Sequence, residues 1–261
     1  MLFRWWKNRR RRKILAEPFP AAWQAALVRK VGHYHVLSDA ERDRLRRAVQ
    51  IMIAEKTWEG CRGLELTDEM RVTIAALMAI LILGFDDFYF DNVETILVYP
   101  DEYRVRQESG LGPATIVEDS ERLGEAQYRG PVLLAWNDVE EHASFPGYAE
   151  NLVFHEFAHK LDLLNGAFDG TPNLQSDELA ARWARVMNVE WRRLQRAERA
   201  HRHTLLDPYG ASDPAEFFAV TTECFFDAPH DMREVYPELY ELFRDYYRQD
   251  PARWPPFIPA S

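Results

Sequence analysis

The sequence predicts a helix-dominated α+β fold in which a small β-sheet precedes one buried helix. Two short apolar runs bounded by proline, Glu94–Tyr99 (ETILVY) and Pro131–Trp136 (PVLLAW), are typical of strands. Most of the remaining chain has helical apolar spacing. The stretch Asn151–Gly166, NLVFHEFAHKLDLLNG, is apolar around most of its circumference and ends in Asn-Gly, a left-handed stop. We expect the chain to be organised around this helix.

Capping residues and apolar spacing predict six further helices. They are Ala21–Lys30, Ser38–Lys56, Thr67–Phe85, Asp177–His203, Asp213–Phe226 and Glu238–Arg248. The third contains an apolar run of fourteen residues that begins at Val72, shorter than the roughly 20 residues that cross a bilayer. We therefore interpret it as a core helix and predict no transmembrane segment. Residues 101–130 are rich in helix and strand breakers and are predicted to form loops.

Length and composition predict one globular domain over residues 21–261. The chain has 261 residues, of which 47% are hydrophobic and 28% are charged, as is usual for soluble proteins. The two cysteines, Cys61 and Cys224, form no C-x-x-C pair, so neither a disulfide scaffold nor a thiolate metal site is expected. This cysteine usage agrees with a cytoplasmic location.

Charge is distributed unevenly along the chain. Residues 1–13 carry seven basic side chains and no acid, so the net charge of −10 on the whole chain leaves −17 on the rest. An acidic body argues against a nucleic-acid enzyme, because duplex binding relies on a basic face. We predict that residues 1–20 form a solvated, disordered tail. Contact of Phe3, Trp5 and Trp6 with an anionic membrane is the alternative.

We predict that the organising helix runs over Tyr148–Leu164, and it carries the pattern His155-Glu156-Phe157-Ala158-His159, or H-E-x-x-H. Residues four apart on a helix face the same way, so both imidazoles can bind one metal ion. Glu156 lies beside that ion, where its carboxylate can accept a proton from water. The pattern also occurs by chance, so a metal centre requires a third ligand further along the chain.

The candidates for the third ligand lie in the predicted helix that follows Tyr209. Glu216 is the first candidate, but Asp213 and Glu216 have capping-box spacing, so the alternative is that Glu216 only caps its own helix. Glu223, two turns further on the same face, is the second candidate. Asp162 lies on the ligand face of the H-E-x-x-H helix. It is interpreted either as an acceptor for a ligand imidazole or as a solvated ion-pair partner.

Three segments, HEFAHKLD, GPVLLAWND and YGASDPAEFFAVTTECFF, resemble the Mlc titration factor A family of glucose-regulated metallopeptidases, and the likeness covers most of the chain after about residue 20. The core of that family is similar to the catalytic domain of anthrax lethal factor. The resemblance implies a zincin-like fold with Zn²⁺ held by His155, His159 and Glu216. It also implies Glu156 as the general base and Tyr209, seven residues before Glu216, as a transition-state donor.

The resemblance further implies an aminopeptidase-like enzyme that hydrolyses peptide bonds, with a glucose-responsive transcriptional repressor as partner. A function of another class stays open: a regulatory protein that sequesters such a repressor, with vestigial or conditional peptidase activity. Pro131–Trp136 is interpreted either as an edge strand that binds the substrate backbone or as a core strand. Residues 110–119, GLGPATIVED, lack a histidine that the family pattern has between the two strands. A self-inhibited state that uses this histidine is therefore not expected.

Overall fold

The computed structural model of the chain describes residues 2–101, 130–144, 147 and 149–257. Helices make up most of this part, as predicted. They are α1 (Leu2–Ile14), α2 (Ala21–Lys30), α3 (Gly32–Val36), α4 (Asp39–Glu55), α5 (Asp68–Leu81), α6 (Trp136–Ser144), α7 (Leu152–Asp162), α8 (Asp177–Arg199), α9 (Pro214–Asp227), α10 (Pro229–Val235) and α11 (Pro237–Tyr247). Short 3-10 turns occur at Leu163–Asn165, Pro208–Ala211 and Pro251–Arg253. Most of the predicted loop, including GLGPATIVED, lies outside the described residues.

Three strands form one parallel sheet in the order β1-β2-β3: β1 (Thr57–Gly60), β2 (Thr95–Tyr99) and β3 (Val132–Ala135). In the register of the last two strands, Ile96 pairs with Val132. The chain crosses over through α5 between β1 and β2, as parallel neighbours require. The small sheet ahead of the H-E-x-x-H helix is thus confirmed. Sequence reasoning missed β1, because TWEG is too short and polar to stand out as a strand.

The core is built around α5, in which every residue from Val72 to Leu81 is buried. The helices α2, α4 and α7 pack against it. The H-E-x-x-H helix α7 also packs against β3 and along α9. Nearly all residues of α9 are buried, and its phenylalanines belong to the core. Two buried helices that are far apart in the sequence therefore lie side by side, and both carry predicted site residues.

Several predicted boundaries differ from the structure. The helix predicted from Tyr148 begins at Leu152, and the helix predicted to end at His203 ends at Arg199. The helix α5 ends at Leu81 rather than at Phe85. Just beyond its end, Gly84 lies so close to the Tyr247 carbonyl that a Cβ atom would come within 2.0 Å of the oxygen. In the sheet, Trp136 opens α6 instead of ending the strand. None of the helices described has the length and apolar content that crossing a bilayer requires.

The N-terminus also differs from the predicted disordered tail, because residues 2–14 form the helix α1. Arg11 attaches it to the body: the guanidinium donates to Glu55 Oε2 at 2.8 Å and to Asp91 Oδ1 at 2.6 Å. Runs of like charge are usually solvated, and the acidic partners of Arg11 lie far away in the sequence, so sequence reasoning missed this contact. The single domain over residues 21–261 stays a prediction.

Candidate metal centre

The helix α7 is capped at both ends. At its start, Asn151 Oδ1 accepts the N–H of Phe154 at 3.2 Å. At its end, the 3-10 turn is followed by Gly166 in the left-handed conformation, with φ 87°, which confirms the Asn-Gly stop. The buried face of α7 packs into the core, so His155 and His159 lie on its more open side, where 15% and 13% of their side chains are exposed.

Three ligand-type atoms converge on one point. His155 Nε2 lies 3.2 Å from His159 Nε2 and 3.0 Å from Glu216 Oε2, and His159 Nε2 lies 3.5 Å from Glu216 Oε2. Zinc–ligand bonds of about 2.0–2.1 Å at tetrahedral angles place ligand atoms about 3.3 Å apart. Among the described residues, these three form the one group of His, Cys, Asp and Glu side chains that could hold a metal ion. The observed distances fit an ion of the size of zinc.

Glu216 reaches this point because of the way α9 begins. Asp213 caps the helix, and its Oδ1 accepts the N–H groups of Ala215 and Glu216 at 2.9 and 3.0 Å. In the described part of the chain, the return bond from the Asp213 N–H to the Glu216 carboxylate is absent. The carboxylate is turned toward the two imidazoles instead. The alternative that Glu216 only completes a capping box does not fit this geometry.

Glu223 contacts the opposite side of the His155 ring. Its Oε1 lies 2.7 Å from His155 Nδ1, and its Oε2 accepts the Asn151 N–H at 2.5 Å. A carboxylate at this position binds the Nδ1 proton and leaves the Nε2 lone pair directed at a metal. The geometry therefore favours Glu223 as the residue that orients His155, and Glu216 as the third ligand.

The electrostatics of the centre favour a cation. Burial by itself lowers the pKa of His155, but hydrogen bonds with Glu216 and Glu223 outweigh it and raise the pKa well above its usual value. Burial favours the neutral form of Glu216, yet hydrogen bonds with the two imidazoles hold its pKa far below the usual range. The carboxylates thus stabilise a positive charge at this point, which either a proton or a divalent metal can supply.

Glu156 and Tyr209 border the centre. Glu156 is half-buried, and its carboxylate forms no hydrogen bond or ion pair with the other described residues. Tyr209 lies in the Pro208–Ala211 turn, with its ring centroid 6.3 Å from that of His155 and 55% of the residue exposed. Partial burial, followed by the nearby Glu216 carboxylate, raises the pKa of Tyr209. The phenol therefore keeps its proton at neutral pH and can donate a hydrogen bond.

Asp162 takes neither of its two predicted roles. It is fully buried rather than solvated, and its Oδ2 accepts the Gly170 N–H at 2.8 Å. Asp162 forms no hydrogen bond with His155 or His159 in the part of the chain that the structure describes. Among these residues, His159 Nδ1 has no hydrogen-bond partner at all. Burial raises the pKa of the Asp162 carboxyl group to about 6. Its contact with Gly170 anchors the loop that follows α7.

A chain of buried polar groups continues behind Glu223. The Asn151 backbone N–H donates to Glu223 Oε2, and the Asn151 side chain lies near Asp227. Asp227 Oδ1 in turn lies 2.9 Å from His33 Nε2. Sequence reasoning gave His33 no role and missed Asn151 and Asp227. A signal was present, because Glu216, Glu223 and Asp227 follow one another at spacings of seven and four in a helix that is otherwise apolar. Acids at such positions need buried partners.

The fold and the centre together define a class of protein. A buried helix with the H-E-x-x-H pattern, joined by a glutamate from a second helix, is the arrangement of metallopeptidases with two histidines and one glutamate at the metal. The chain belongs to the glucose-regulated metallo-peptidase M90 family, whose model matches residues 3–248. The helix-dominated fold with its small parallel sheet is consistent with the zincin-like core expected of that family, and the family implies a divalent metal.

Three relatives support the same assignment. Uncharacterized protein slr2042 of Synechocystis sp. is 36% identical over 248 residues, which cover 94% of this chain and 90% of the relative. Mlc titration factor A of Serratia proteamaculans is 34% identical, with 88% of each chain covered. Mlc titration factor A of Edwardsiella ictaluri is 33% identical, with 90% of this chain and 88% of the relative covered. The resemblance to the Mlc titration factor A family is thereby confirmed.

Proposed function

We propose that the protein is a zinc-dependent peptidase in which His155, His159 and Glu216 hold Zn²⁺. The convergence of their ligand atoms, at separations of 3.0, 3.2 and 3.5 Å, carries the proposal. Two neutral imidazoles and one carboxylate leave a net positive charge on such a site and one coordination position open. When bound, zinc supplies Lewis acidity and brings the pKa of water toward about 7.

Glu156 is the proposed general base. Its carboxylate follows directly on the proposed ligand His155 and forms no hydrogen bond or ion pair with the other described residues. It accepts a proton from the water that attacks the peptide carbonyl and then passes that proton to the leaving amine. Tyr209 is proposed to donate a hydrogen bond to the oxyanion that develops on the carbonyl oxygen. Its protonated, largely exposed phenol beside Glu216 supports this role.

The proposed substrates are short peptides, cleaved in an aminopeptidase-like manner. The strand β3 supports the binding of an extended peptide, because it lies at the edge of the sheet in the described part of the chain and packs against α7. A peptide backbone can pair with such an edge by strand addition. For the strand predicted at Pro131–Trp136 and observed at Val132–Ala135, this favours the interpretation as a substrate-binding edge strand over that as a core strand.

The metal assignment is tested by metal analysis of the purified protein, which we expect to contain about one zinc ion per chain. His155→Ala and His159→Ala each remove a ligand and should lose the zinc. The exposed His35 lies outside the centre, so His35→Ala serves as the matched control and should retain it. Stoichiometric zinc in the double variant of His155 and His159 would contradict the assignment.

The enzymatic assignment is tested with a panel of chromogenic amino-acid anilides. Glu156→Gln keeps the metal ligands but removes the base, so zinc should stay while turnover falls by roughly 10²- to 10⁴-fold. Glu150→Gln changes an exposed glutamate just ahead of α7 and should leave turnover unchanged. Wild-type turnover by Glu156→Gln would mean that α7 does not carry the active site.

A second candidate function is regulatory, and the name Mlc titration factor A of two relatives favours it. In this proposal the protein binds a glucose-responsive transcriptional repressor in the cytoplasm. The free thiols of Cys61 and Cys224 support a reducing compartment. Repressor binding at wild-type affinity by Glu156→Gln would make the regulatory function independent of catalysis. Absence of binding by both wild type and variant would exclude this candidate.

A further inference from the structure

The loop after α7 places an aromatic side chain beside the metal centre. The Phe168 ring centroid lies 5.0 Å from that of His159. The residue is 38% exposed, although most large apolar side chains of the described chain are buried. Tyr209 lies beside the other histidine, His155. Two exposed aromatic rings therefore border the centre, and the proposed catalysis uses only Tyr209.

Hydrogen bonds hold the first part of this loop. Asn165 Oδ1 accepts the Ala167 N–H at 2.8 Å, and Asn165 Nδ2 donates to the Thr171 carbonyl at 2.7 Å. One side chain thus bridges the two ends of the segment that carries Phe168. The backbone on both sides of the ring is fixed before any ligand binds, which lowers the entropy lost on binding.

The second part of the loop is fixed to the body at Gly170. Its N–H donates to the buried Asp162, and its carbonyl accepts the indole N–H of Trp183 at 3.0 Å. With φ +73°, Gly170 lies so close to the first turn of α9 that a Cβ atom would come within 2.2 Å of the Pro214 oxygen. Because α9 also carries Glu216, the loop has a fixed position relative to the metal centre.

An exposed apolar ring on a rigid loop beside a reactive centre is suited to contact a ligand. Its face offers aromatic stacking and apolar burial to a side chain, and it offers no hydrogen bond or charge. The neighbouring Asp169 does carry a charge, but its Oδ1 accepts the Thr171 N–H at 3.0 Å. The loop therefore presents an aromatic face beside His159 and, at the next residue, a carboxylate that the backbone already binds.

We propose that Phe168 is a specificity-determining residue that contacts the substrate side chain next to the cleaved bond and favours a large apolar or aromatic residue there. This inference rests on the proposed peptidase function. Because an aromatic contact adds only modestly to apolar burial, the expected preference for phenylalanine or leucine over alanine is about 3- to 10-fold in kcat/KM.

The test uses the full-length, zinc-loaded protein and a set of peptides that differ only at the two positions flanking the cleaved bond. Phenylalanine, leucine, alanine, lysine and aspartate are placed at each position, and mass spectrometry follows cleavage. We expect a preference for phenylalanine and leucine at one position. Phe168→Ala should lose this preference, which is measured within each variant as the ratio of kcat/KM for the phenylalanine peptide to kcat/KM for the alanine peptide. Phe168→Leu should retain part of the preference.

Two comparisons complete the test. Trp6 is 62% exposed on α1, so Trp6→Ala removes an exposed aromatic side chain outside the site and should keep the wild-type preference. Binding to the Glu156→Gln background provides a readout that does not require turnover. There, Phe168→Ala should raise the Kd of the phenylalanine peptide by about 3- to 10-fold and leave that of the alanine peptide unchanged.

The proposal is overturned if the apolar preference survives in Phe168→Ala, if wild type prefers lysine because Asp169 dominates, or if Phe168→Ala leaves both Kd values unchanged. Failure of the wild-type protein to cleave any peptide would instead overturn the peptidase function. In that case the binding comparison in Glu156→Gln still decides whether Phe168 selects an apolar ligand.

Discussion

At the scale of single residues, the three acids of α9 have separate roles because of their positions along the helix. Glu216 faces the Nε2 side of both imidazoles, and Glu223 faces the Nδ1 side of His155. Asp227, one turn further, reaches His33 and contacts neither ligand. The helical rise separates Glu216 from Glu223 by about 10 Å. They therefore cannot replace one another as the proposed third metal ligand.

The first prediction compares Glu216→Gln with Glu223→Gln. Glu223→Gln removes the charge behind His155 and should weaken zinc affinity roughly 10- to 100-fold. Glu216→Gln removes a proposed ligand and should weaken zinc affinity more. Competition with a chelator of known affinity measures both. Because Glu216 lies in the first turn of α9, the thermal stability of the metal-free variants is the control. Unchanged zinc affinity in Glu216→Gln would reverse the two roles.

The second prediction concerns pH. In the metal-free protein the raised pKa of His155 keeps its imidazole protonated at neutral pH, so zinc must displace that proton. Zinc affinity should therefore rise with pH, by up to about tenfold per pH unit, until the pH exceeds this pKa. Because the pKa of Glu216 is lowered, its carboxylate stays ionised, so Glu216 adds no further pH dependence to zinc binding. Calorimetry in two buffers counts the released protons; zero released near pH 7 would contradict the prediction.

At the scale of elements, the loop after α7 and the start of α9 constrain each other through Gly170. Gly170→Ala would place a methyl group 2.2 Å from the Pro214 oxygen in addition to its positive φ. We expect lower thermal stability and, because Pro214 precedes Glu216, weaker zinc binding. Gly166 also has a positive φ but has open space around it. Gly166→Ala should therefore lower the free energy of unfolding by only about 1–2 kcal/mol and leave the zinc affinity unchanged.

The helix α1 gives the fourth prediction. Arg11→Ala leaves the part-buried Glu55 without its partner and should lower the free energy of unfolding by roughly 3 kcal/mol. This is the lower end of the range for a broken buried ion pair, because the second partner, Asp91, is partly exposed. The exposed Arg9 lies over the Trp5 ring, so Arg9→Ala should change the stability little. Urea denaturation measures both, and limited proteolysis reports whether α1 detaches. Equal stability of the two variants would mean that α1 does not contribute to the fold.

At the scale of the whole molecule, what could be predicted from the sequence was local. Ser38, with its capping box, and Thr67 begin α4 and α5 as expected. The spacing within H-E-x-x-H places two imidazoles together because one helical turn fixes it. Glu216 needed the family resemblance, because its neighbour Asp213 offered an equally valid local role.

The features that sequence reasoning missed depend on contacts between distant segments. The strand β1 exists because β2 pairs with it, and α1 is held by Glu55 and Asp91. The role of Glu223 becomes visible only when α9 lies along α7 and brings the carboxylate to His155. No spacing within one segment carries this information, since tertiary packing decides it.

The buried polar chain behind His155 ends under the C-terminal segment. The rings of Trp254 and Phe257 lie 6.2 and 4.9 Å from that of His33. Both residues lie beyond position 248, where the match to the family model stops. A recombinant fragment trimmed to that boundary would admit water to His33 and Asp227, and thus to the polar groups that hold the start of α7. A fragment prepared for metal or activity measurements should therefore extend at least to residue 257.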